Sequence, residues 1–397
     1  MEKIKNLYKT SYPFRYIVFG IILAIIPLLS EIGIMANSTV RLFGFTIIFT
    51  VVALGLNLLL GFSGLVSLGT AGFMGLGAYL FVYVSNNVFD GFLVATIITL
   101  ILAGVFGLLI ALLSMKVEGI YLAIATLFIG EILLQIFRSV VSFTGGFSGA
   151  KIHHPKFNLI FTEVTLSRNM TYVLLVVVLV LVMIGIYNLV HSRTGRALMA
   201  MSRSEHAAQA MGISIIKYRA VAFVTATVLA ALGGVLYVSY FRFVEPSAWN
   251  LNRSLLIIAM VVVGGFKSIF GTAIGAFVIY GVPELYLKDL FSFNPAFSYI
   301  FAGVLIIVVI MFYPYGAVYI GNDVKKLYYK HIYPRRLPYI IMNNKYDEEL
   351  KKLKEDPTKT KEDYQVLKNN HRKLIANLKK QLQQEKLEKK DGGNNEE

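Results

Sequence analysis

Long apolar runs recur along the chain from Phe14 to Ile320, and each is about as long as a helix that crosses a bilayer. A transmembrane helix needs about 20 apolar residues, and a transmembrane β-strand about 10 residues that alternate in polarity. Runs such as Tyr172–Ile186 do not alternate. The pattern therefore predicts an all-α, polytopic membrane protein. We place about ten spans (eight to ten) at residues 14–34, 40–60, 65–85, 91–113, 119–140, 170–190, 216–241, 253–266, 269–287 and 298–320.

A polar, basic island at residues 191–217 separates the sixth and seventh runs. Because both flanks are long enough to cross a bilayer, the island must lie in water beside the membrane, and its positive charge favours the cytoplasmic side. If it forms one helix from Arg196, its residues divide between two faces. The apolar face then carries Leu198, Met201, Ala208 and Met211, opposite Arg196 and Arg203. Such a helix, held between two spans, can dock on a soluble partner.

Positive charge is concentrated at both ends of a chain whose net charge is +15. From Asn322 onward, 19 lysines and arginines face 13 aspartates and glutamates. Since basic residues favour the cytoplasmic side of a membrane, we expect both termini to be cytoplasmic. We divide the chain into a basic N-terminus (1–13), a transmembrane domain (14–320) and a charged, partly helical soluble tail (321–397). The helical part of the tail is predicted from a one-face stripe of Leu367, Leu374, Leu378 and Leu382.

The stretch from the end of the second apolar run into the third is unusually rich in glycine and small polar residues. From Gly55 to Tyr79 it holds seven glycines, together with Asn57, Ser63, Ser67 and Thr70. Small residues let helices approach closely, and a broken or re-entrant helix exposes backbone groups that a polar substrate can bind. Close helix packing is enough to explain any single glycine, whereas the cluster as a whole favours a segment that lines a translocation pathway. A weaker echo at Gly264–Gly275 leaves both an internal repeat and coincidence open.

Residues that support catalysis or metal binding are sparse. Cysteine is absent, which excludes disulfides, thiolate chemistry and Cys-based metal sites. Gly264–Ser268 lacks the spacing of a phosphate-binding loop, and no metalloprotease or serine-hydrolase motif occurs. The adjacent His153 and His154 have no acidic or Cys partner and are more typical of a solvated loop. We therefore predict no catalytic residue, no metal site and no enzymatic activity.

Glu131 lies inside the predicted span 119–140. A carboxylate within a membrane is costly and usually faces a cavity or a partner. Two interpretations stay open: contact with a substrate, or a structural role through an ion pair with Arg138 or a position near the interface.

Three segments together resemble the permease subunits of branched-chain amino acid ABC importers, the LivM-like type more than the LivH-like type. The first is Gly55–Tyr79, which is similar to the family's Asn-Leu-Leu-x-Gly run ending in Gly-Ala-Tyr. The second extends from Gly119 through Glu131 to Thr144-Gly-Gly. The third joins Gly195–Leu198, Glu205–Ala208, Met211–Ile213 and Pro283–Glu284. The resemblance covers roughly residues 14–320.

The resemblance implies that residues 191–217, which we call the coupling segment, dock on a separate ATPase. The implied coupling residues are Gly195, Arg196, Ala197, Leu198, Met201, Arg203, Glu205, Ala208 and Gly212. Among them the charged residues would orient docking, while Leu198 and Met201 would fill a pocket of the partner. The implied translocation pathway includes Asn57, Ser63, Ser67, Gly69, Thr70, Glu131, Thr144, Gly145 and Gly146.

The resemblance also implies the partners and the location of the protein. Two ABC ATPase subunits would bind and hydrolyse ATP with Mg²⁺, so this chain would hold no cofactor of its own. A second permease, LivH-like or another copy of this chain, would complete the pathway. An extracytoplasmic substrate-binding protein or lipoprotein would deliver the solute, membrane lipid would surround the spans, and no nucleic acid is expected. The location would be the bacterial plasma (inner) membrane, with a multi-pass chain.

Two departures from the family pattern keep alternatives open. Thr70 stands where the family often has His, so the same architecture could serve urea, short amides, sugars or nucleosides. The family's chains usually end soon after the last span, whereas this chain continues. An ion-coupled secondary transporter is a different class, and the scarcity of intramembrane acids and histidines argues against it. A membrane-anchored scaffold with a basic tail is a third class.

Overall fold

The computed structural model describes residues 12–33, 35–89, 91–113, 117, 119–152, 156–159, 162–165, 167–283 and 297–312, and in the tail 345–346, 348–349, 365–371, 373–375 and 377. The chain separates into two compact units, residues 1–319 and residues 320–397. Several predicted features lie outside the described residues: His153 and His154, Glu284, the end of the tenth run, and Leu378 and Leu382.

The first unit is mainly helical. Its helices are α1 Tyr12–Ala24, α2 Ile26–Glu31, α3 Asn37–Asn57, α4 Thr70–Asn87, α5 Phe92–Leu113, α6 Ile120–Ser139, α7 Val141–Thr144, α8 Arg168–His191, α9 Arg193–Arg203, α10 Glu205–Ala210, α11 Ile215–Phe241, α12 Leu251–Gly264, α13 Ile269–Ala276 and α14 Phe297–Phe312. Turns of π-helix at Leu58–Phe62 and Phe277–Gly281 extend α3 and α13. Short 3-10 turns occupy Gly146–Ser148 and Pro246–Trp249.

Four short strands form two antiparallel pairs at the end of the bundle away from the coupling segment. Strand β1 (Ala150–Lys151) pairs with β4 (Phe243–Val244), with Ala150 opposite Val244. Strand β2 (Lys156–Leu159) pairs with β3 (Thr162–Thr165) in a hairpin. The first pair ties the loop after α6 to the end of α11, and so fixes this loop to the helical bundle.

Six helical stretches in the described part of the chain are long and apolar enough to cross a membrane. They are Tyr12–Glu31, Asn37–Phe62, Phe92–Leu113, Ile120–Ser139, Arg168–His191 and Ile215–Phe241. Leu251–Gly264 and Ile269–Gly281 are apolar but shorter. The predicted all-α polytopic membrane class is confirmed, whereas the exact number of crossings stays a prediction.

Helices α3 and α11 form the centre of the bundle. Helix α3 is almost wholly buried, and α11 packs against α3, α4 and α5. Glycines make the α4–α11 contact close, since a Cβ at Gly77 would collide with the backbone of Ala231, and one at Gly234 with that of Met74. Lipid tails are as apolar as leucine, so such close contact, and not the exclusion of water, holds transmembrane helices together. Helix α5, by contrast, exposes a broad apolar face suited to lipid.

The second unit is described only in short pieces. Residues 365–371 and 373–375 are helical, and the longer helix expected from the leucine stripe stays a prediction. The Tyr346 ring stacks on the His371 ring with centroids 4.2 Å apart.

Candidate functional site

The predicted third span is broken near its start. The π-helical turn after α3 ends at Phe62, and α4 begins only at Thr70, so residues 63–69 are not helical. Neighbouring helices bind the freed backbone: the Leu68 N–H donates to Thr126 Oγ1 at 3.0 Å, and the Ala71 N–H donates to Ser254 Oγ at 3.0 Å. Irregular backbone inside a membrane protein is tolerated where protein groups satisfy it in this way. The break predicted from the glycine cluster is therefore present.

Asn57, at the end of α3, fastens the break to the start of α13. Its Nδ2 donates to Thr272 Oγ1 at 2.7 Å and to the Ser268 carbonyl at 3.2 Å. Its Oδ1 accepts from the Lys267 N–H at 3.1 Å. The carboxamide is buried and fully occupied by these contacts. Asn57 therefore joins the two glycine-rich segments that look alike in the sequence, a contact that their similarity alone did not predict.

Ser67 and Thr70 line a very small cavity between α3, α4 and α11. Its volume is about 10 Å³, which is room for about one water molecule. The Ser67 and Thr227 hydroxyls are buried there, and among the described residues neither has a hydrogen-bond partner. Ser63 is buried too and donates to the Leu58 carbonyl at 2.7 Å. In this conformation the small polar residues of the broken span face protein, and no solute the size of an amino acid fits between Ser67 and Thr70.

Gly69 fits a site that no larger residue could take, because an added Cβ would collide with the Thr126 carbonyl. On the other side of the same contact, α6 presents Gly130 to Gly72. These glycines allow α4 to begin against the middle of α6.

Glu131 lies on the exposed side of α6, next to Ile132. Within the described residues, no ion pair joins Glu131 to Arg138. The first unit therefore presents a carboxylate on the outer face of a membrane-spanning helix.

The Thr144-Gly-Gly sequence forms a tight turn beyond α6. Thr144 is buried, and its hydroxyl donates to the Phe137 carbonyl at 2.7 Å and accepts from the Gly146 N–H at 3.1 Å. Gly145 and Gly146 have φ of 74° and 61°, in the left-handed region that favours glycine. The three residues therefore shape the loop that leads into β1.

The coupling segment forms two short helices instead of the single helix that we expected. Ser192 caps α9 by accepting from the Gly195 N–H at 3.4 Å, and Ser204 caps α10 by accepting from the Ala207 N–H at 3.3 Å. Gly195 is required because a Cβ there would collide with Val190. Gly212, at φ 79°, ends the second helix. Serine competes for backbone hydrogen bonds and favours helix starts, which explains the division at Ser204.

The division changes which side chains a partner can reach. Leu198 and Met201 are 0 and 2% exposed, and Ala197 and Ala208 are buried as well. Met211 is 85% exposed, so its predicted place on a common apolar face with Leu198 was wrong. The expectation that Leu198 and Met201 fill a partner's pocket does not fit their packing within this chain. Arg196, Arg203, His206 and Met211 form the outer surface.

An ion pair that the sequence analysis missed holds the coupling segment to the bundle. Arg219 Nη2 in α11 donates to Glu205 Oε2 in α10. A cavity of about 340 Å³ lies beside the pair and is also lined by Ser63 and Gly64 of the broken span. Gly64 packs directly on Ser202. The coupling segment and the broken span are thus in contact. A charge four residues into an apolar run is a signal that could have indicated a buried partner for Arg219.

Comparison with protein families gives one match that covers most of the chain. Residues 38–310 match the family described as the permease component of branched-chain amino acid transport systems. The match includes the broken span, the coupling segment and helices α3 to α13. No solved structure gives a significant match.

Individual relatives point in the same direction. The high-affinity branched-chain amino acid transport system permease protein LivM of Escherichia coli (strain K12) is 29% identical over 303 residues, which is 71% of this chain and 70% of the relative. LivM of Salmonella typhimurium is 27% identical over the same shares of both proteins. The fructose import permease protein FruG of Bifidobacterium longum is 26% identical over 191 residues, 46% of this chain and 56% of the relative.

Proposed function

This chain belongs to the family of permease components of branched-chain amino acid transport systems, and from that premise we propose that it is a membrane subunit of an ABC importer for branched-chain amino acids. The family match over residues 38–310, which takes in both the broken span and the coupling segment, carries the proposal. The LivM relatives support leucine-type substrates, because each is named for branched-chain amino acid transport.

A partner permease completes the proposed pathway. The cavity between Ser67 and Thr70 holds about one water, whereas α6 presents Glu131 on its outer face. An ionisable side chain within a membrane faces a protein or a water-filled cavity much more often than lipid. The face of α6 around Glu131 is therefore our proposed contact with a second permease, either LivH-like or another copy, and the solute would cross between the two.

Separate ATPase subunits would drive this pair through the coupling segment. Arg196, Arg203 and Met211 form the surface that we propose for docking, and Glu205 passes the movement to α11 through Arg219. The remaining coupling residues, Gly195, Ala197, Leu198, Met201, Ala208 and Gly212, would hold the shape of this surface.

ATP and Mg²⁺ would be bound by the ATPases, so this chain would need no cofactor. Useful coupling requires that the ATPases contact the segment differently in their two states. A substrate-binding protein would deliver the solute at the opposite end of the bundle, and both termini would be cytoplasmic.

Reconstitution tests the proposal directly. The chain is inserted into vesicles with a partner permease, two ATPase subunits and a binding protein, and ATP-dependent uptake of labelled leucine is measured. Uptake of leucine that unlabelled valine and isoleucine suppress is the expected result. Uptake of fructose, urea or a nucleoside without uptake of leucine would refute branched-chain amino acids as the substrate. Leucine uptake that persists without ATPases and collapses with the proton gradient would refute the assignment to ABC importers.

One substitution separates docking from folding. Met211→Asp places a charge on the exposed surface of the coupling segment, and we expect it to weaken ATPase binding about tenfold, equivalent to about 1.4 kcal/mol. Met170→Asp is the matched control, because Met170 is also exposed but lies at the start of α8, at the other end of the bundle. Equal ATPase binding by the two variants would contradict docking at this surface.

A further inference from the structure

A large cavity opens at the end of the first unit that carries the coupling segment. Its volume is about 930 Å³, and it lies between α1, α8, α9 and the turn before α13. Aromatic rings form one wall: Tyr12 stacks on Tyr187 at 5.5 Å, and Tyr187 packs on His191 at 4.1 Å. Aromatic residues of this kind collect at the level of lipid headgroups. The cavity therefore lies where a membrane protein meets the polar edge of the bilayer.

Three cationic side chains line this cavity. They are Arg15 of α1, Arg196 of α9 and Lys267 of the turn before α13. The described residues that line it include no aspartate or glutamate. Three positive charges from three separate elements along one cavity make an attractive site for a phosphate group, which arginine and lysine bind through charge-assisted hydrogen bonds.

Hydrogen bonds fix the backbone of Lys267 and the side chain of Arg196. Lys267 has φ 62°, an unusual conformation for a residue with a side chain, and Asn57 Oδ1 fixes it by accepting from its N–H at 3.1 Å. Arg196 Nη1 donates to the His191 carbonyl at 3.3 Å. Both contacts use neutral oxygen atoms, so they position the two residues without cancelling their charge.

An apolar groove adjoins the cavity at Phe19, on the side towards the middle of the bundle. It has a volume of about 240 Å³, and its lining is almost entirely apolar. Phe19 lines both spaces, and its ring packs edge-on against Phe270 at 5.1 Å. The groove then passes between α1, α3 and α13, along Leu23, Ile47 and Ile274. A charged chamber next to an apolar groove matches the two parts of a phospholipid, a headgroup and an acyl chain.

We propose that this composite site binds an anionic phospholipid, with its phosphate held by Arg15, Arg196 and Lys267 and one acyl chain in the groove behind Phe19. Basic pockets at the membrane interface of helical proteins bind anionic headgroups, and each added cation strengthens the attraction towards an anionic lipid. The bound lipid links α1 to the coupling segment through Arg196. It also links both to the Asn57 contact through Lys267. This assignment depends on the membrane location and not on which solute is transported.

The test measures lipid binding by the full-length chain in detergent. Long-chain phosphatidylglycerol and phosphatidylcholine are titrated separately, and bound lipid is counted by native mass spectrometry. The double variant Arg15→Gln/Lys267→Gln is expected to lower phosphatidylglycerol affinity at least about tenfold, since it removes two of the three cations that form charge-assisted hydrogen bonds with the phosphate. Arg193→Gln/Lys217→Gln is the matched control, because it removes two positive charges at the same end of the bundle from exposed residues outside the cavity. The control is expected to keep its affinity.

A second variant tests the acyl groove. Ile274→Trp narrows the groove at a position that is 37% exposed. We expect it to lower the affinity for long-chain phosphatidylglycerol several-fold but to leave the affinity for the dihexanoyl form unchanged. Equal affinity for phosphatidylcholine, or equal losses in the control variant, would overturn the anionic-lipid assignment. Displacement of lipid by millimolar inorganic phosphate would make it a soluble-anion site. Displacement by the ATPase subunits would make it part of the docking surface.

Discussion

Arg219, 3% exposed near the start of α11, forms an ion pair with Glu205, the first residue of α10. The pair joins the water-facing coupling segment to a membrane-spanning helix. A buried charge that loses its partner is costly, although exchanging both members for neutral residues is often tolerated. Because Glu205 is partly exposed, solvent screens some of this attraction. The main effect of the pair is therefore to hold α10 in place against α11, and its contribution to the free energy of folding is secondary.

The first prediction concerns this connection. Glu205→Gln leaves the Arg219 guanidinium without its carboxylate, and we expect leucine uptake to fall about tenfold while ATP hydrolysis by the assembled transporter continues. Uptake and hydrolysis are measured together in vesicles, so that loss of coupling is distinguished from loss of assembly.

Two further variants sharpen this test. Glu205→Gln/Arg219→Gln removes both charges and is expected to recover part of the uptake, since contacting residues are not additive. Glu31→Gln makes the same change at an exposed carboxylate at the other end of the bundle, where glutamine can still accept from Asn169, and should leave uptake unaltered. Normal uptake by Glu205→Gln would contradict a coupling role for the pair.

Local patterns predicted much of this structure, and contacts between distant segments account for most of what they missed. Apolar runs located the helices, because about 20 apolar residues have few alternatives to a transmembrane helix. The break before Thr70 followed from glycine content. The placement of Met211 failed because the helical period was extended across Ser204, whose side chain starts a new helix. The Glu205–Arg219 pair and the Asn57–Thr272 bond depend on how separate helices pack against each other. The hydrophobic pattern of one segment does not reveal that packing.

The second prediction concerns Asn57. Asn57→Ala removes the acceptor of the Lys267 N–H and the donor to Thr272 Oγ1, and we expect it to lower the free energy of unfolding by about 2 kcal/mol, because an unsatisfied buried group costs about 1–3 kcal/mol. Asn57→Asp should cost more, since it also places a carboxylate in a buried site. Thermal unfolding followed by the fluorescence of Trp249, the single tryptophan and a buried one, measures both.

Asn86→Ala is the control for the Asn57 series. Asn86 is exposed and makes one bond, to the Lys151 carbonyl at 3.2 Å, so its loss should change stability by less than about 0.5 kcal/mol. A wild-type unfolding temperature for Asn57→Ala would show that the start of α13 is held by other contacts.

The third prediction concerns the contact between α4 and α11. A Cβ at Gly77 would collide with Ala231, and one at Gly234 with Met74 and Ala78. Gly77→Ala and Gly234→Ala therefore force the two helices apart, and overpacking of this kind costs about 1–3 kcal/mol. Gly185→Ala is the matched control in α8, where nothing lies within 4 Å of the added Cβ. There the change should raise stability by about 0.5–1 kcal/mol, because alanine favours a helix over glycine. The unfolding temperatures of the three variants are compared in one detergent. Equal destabilisation by Gly185→Ala and Gly77→Ala would mean that the close approach of α4 and α11 is not the cause of the lost stability.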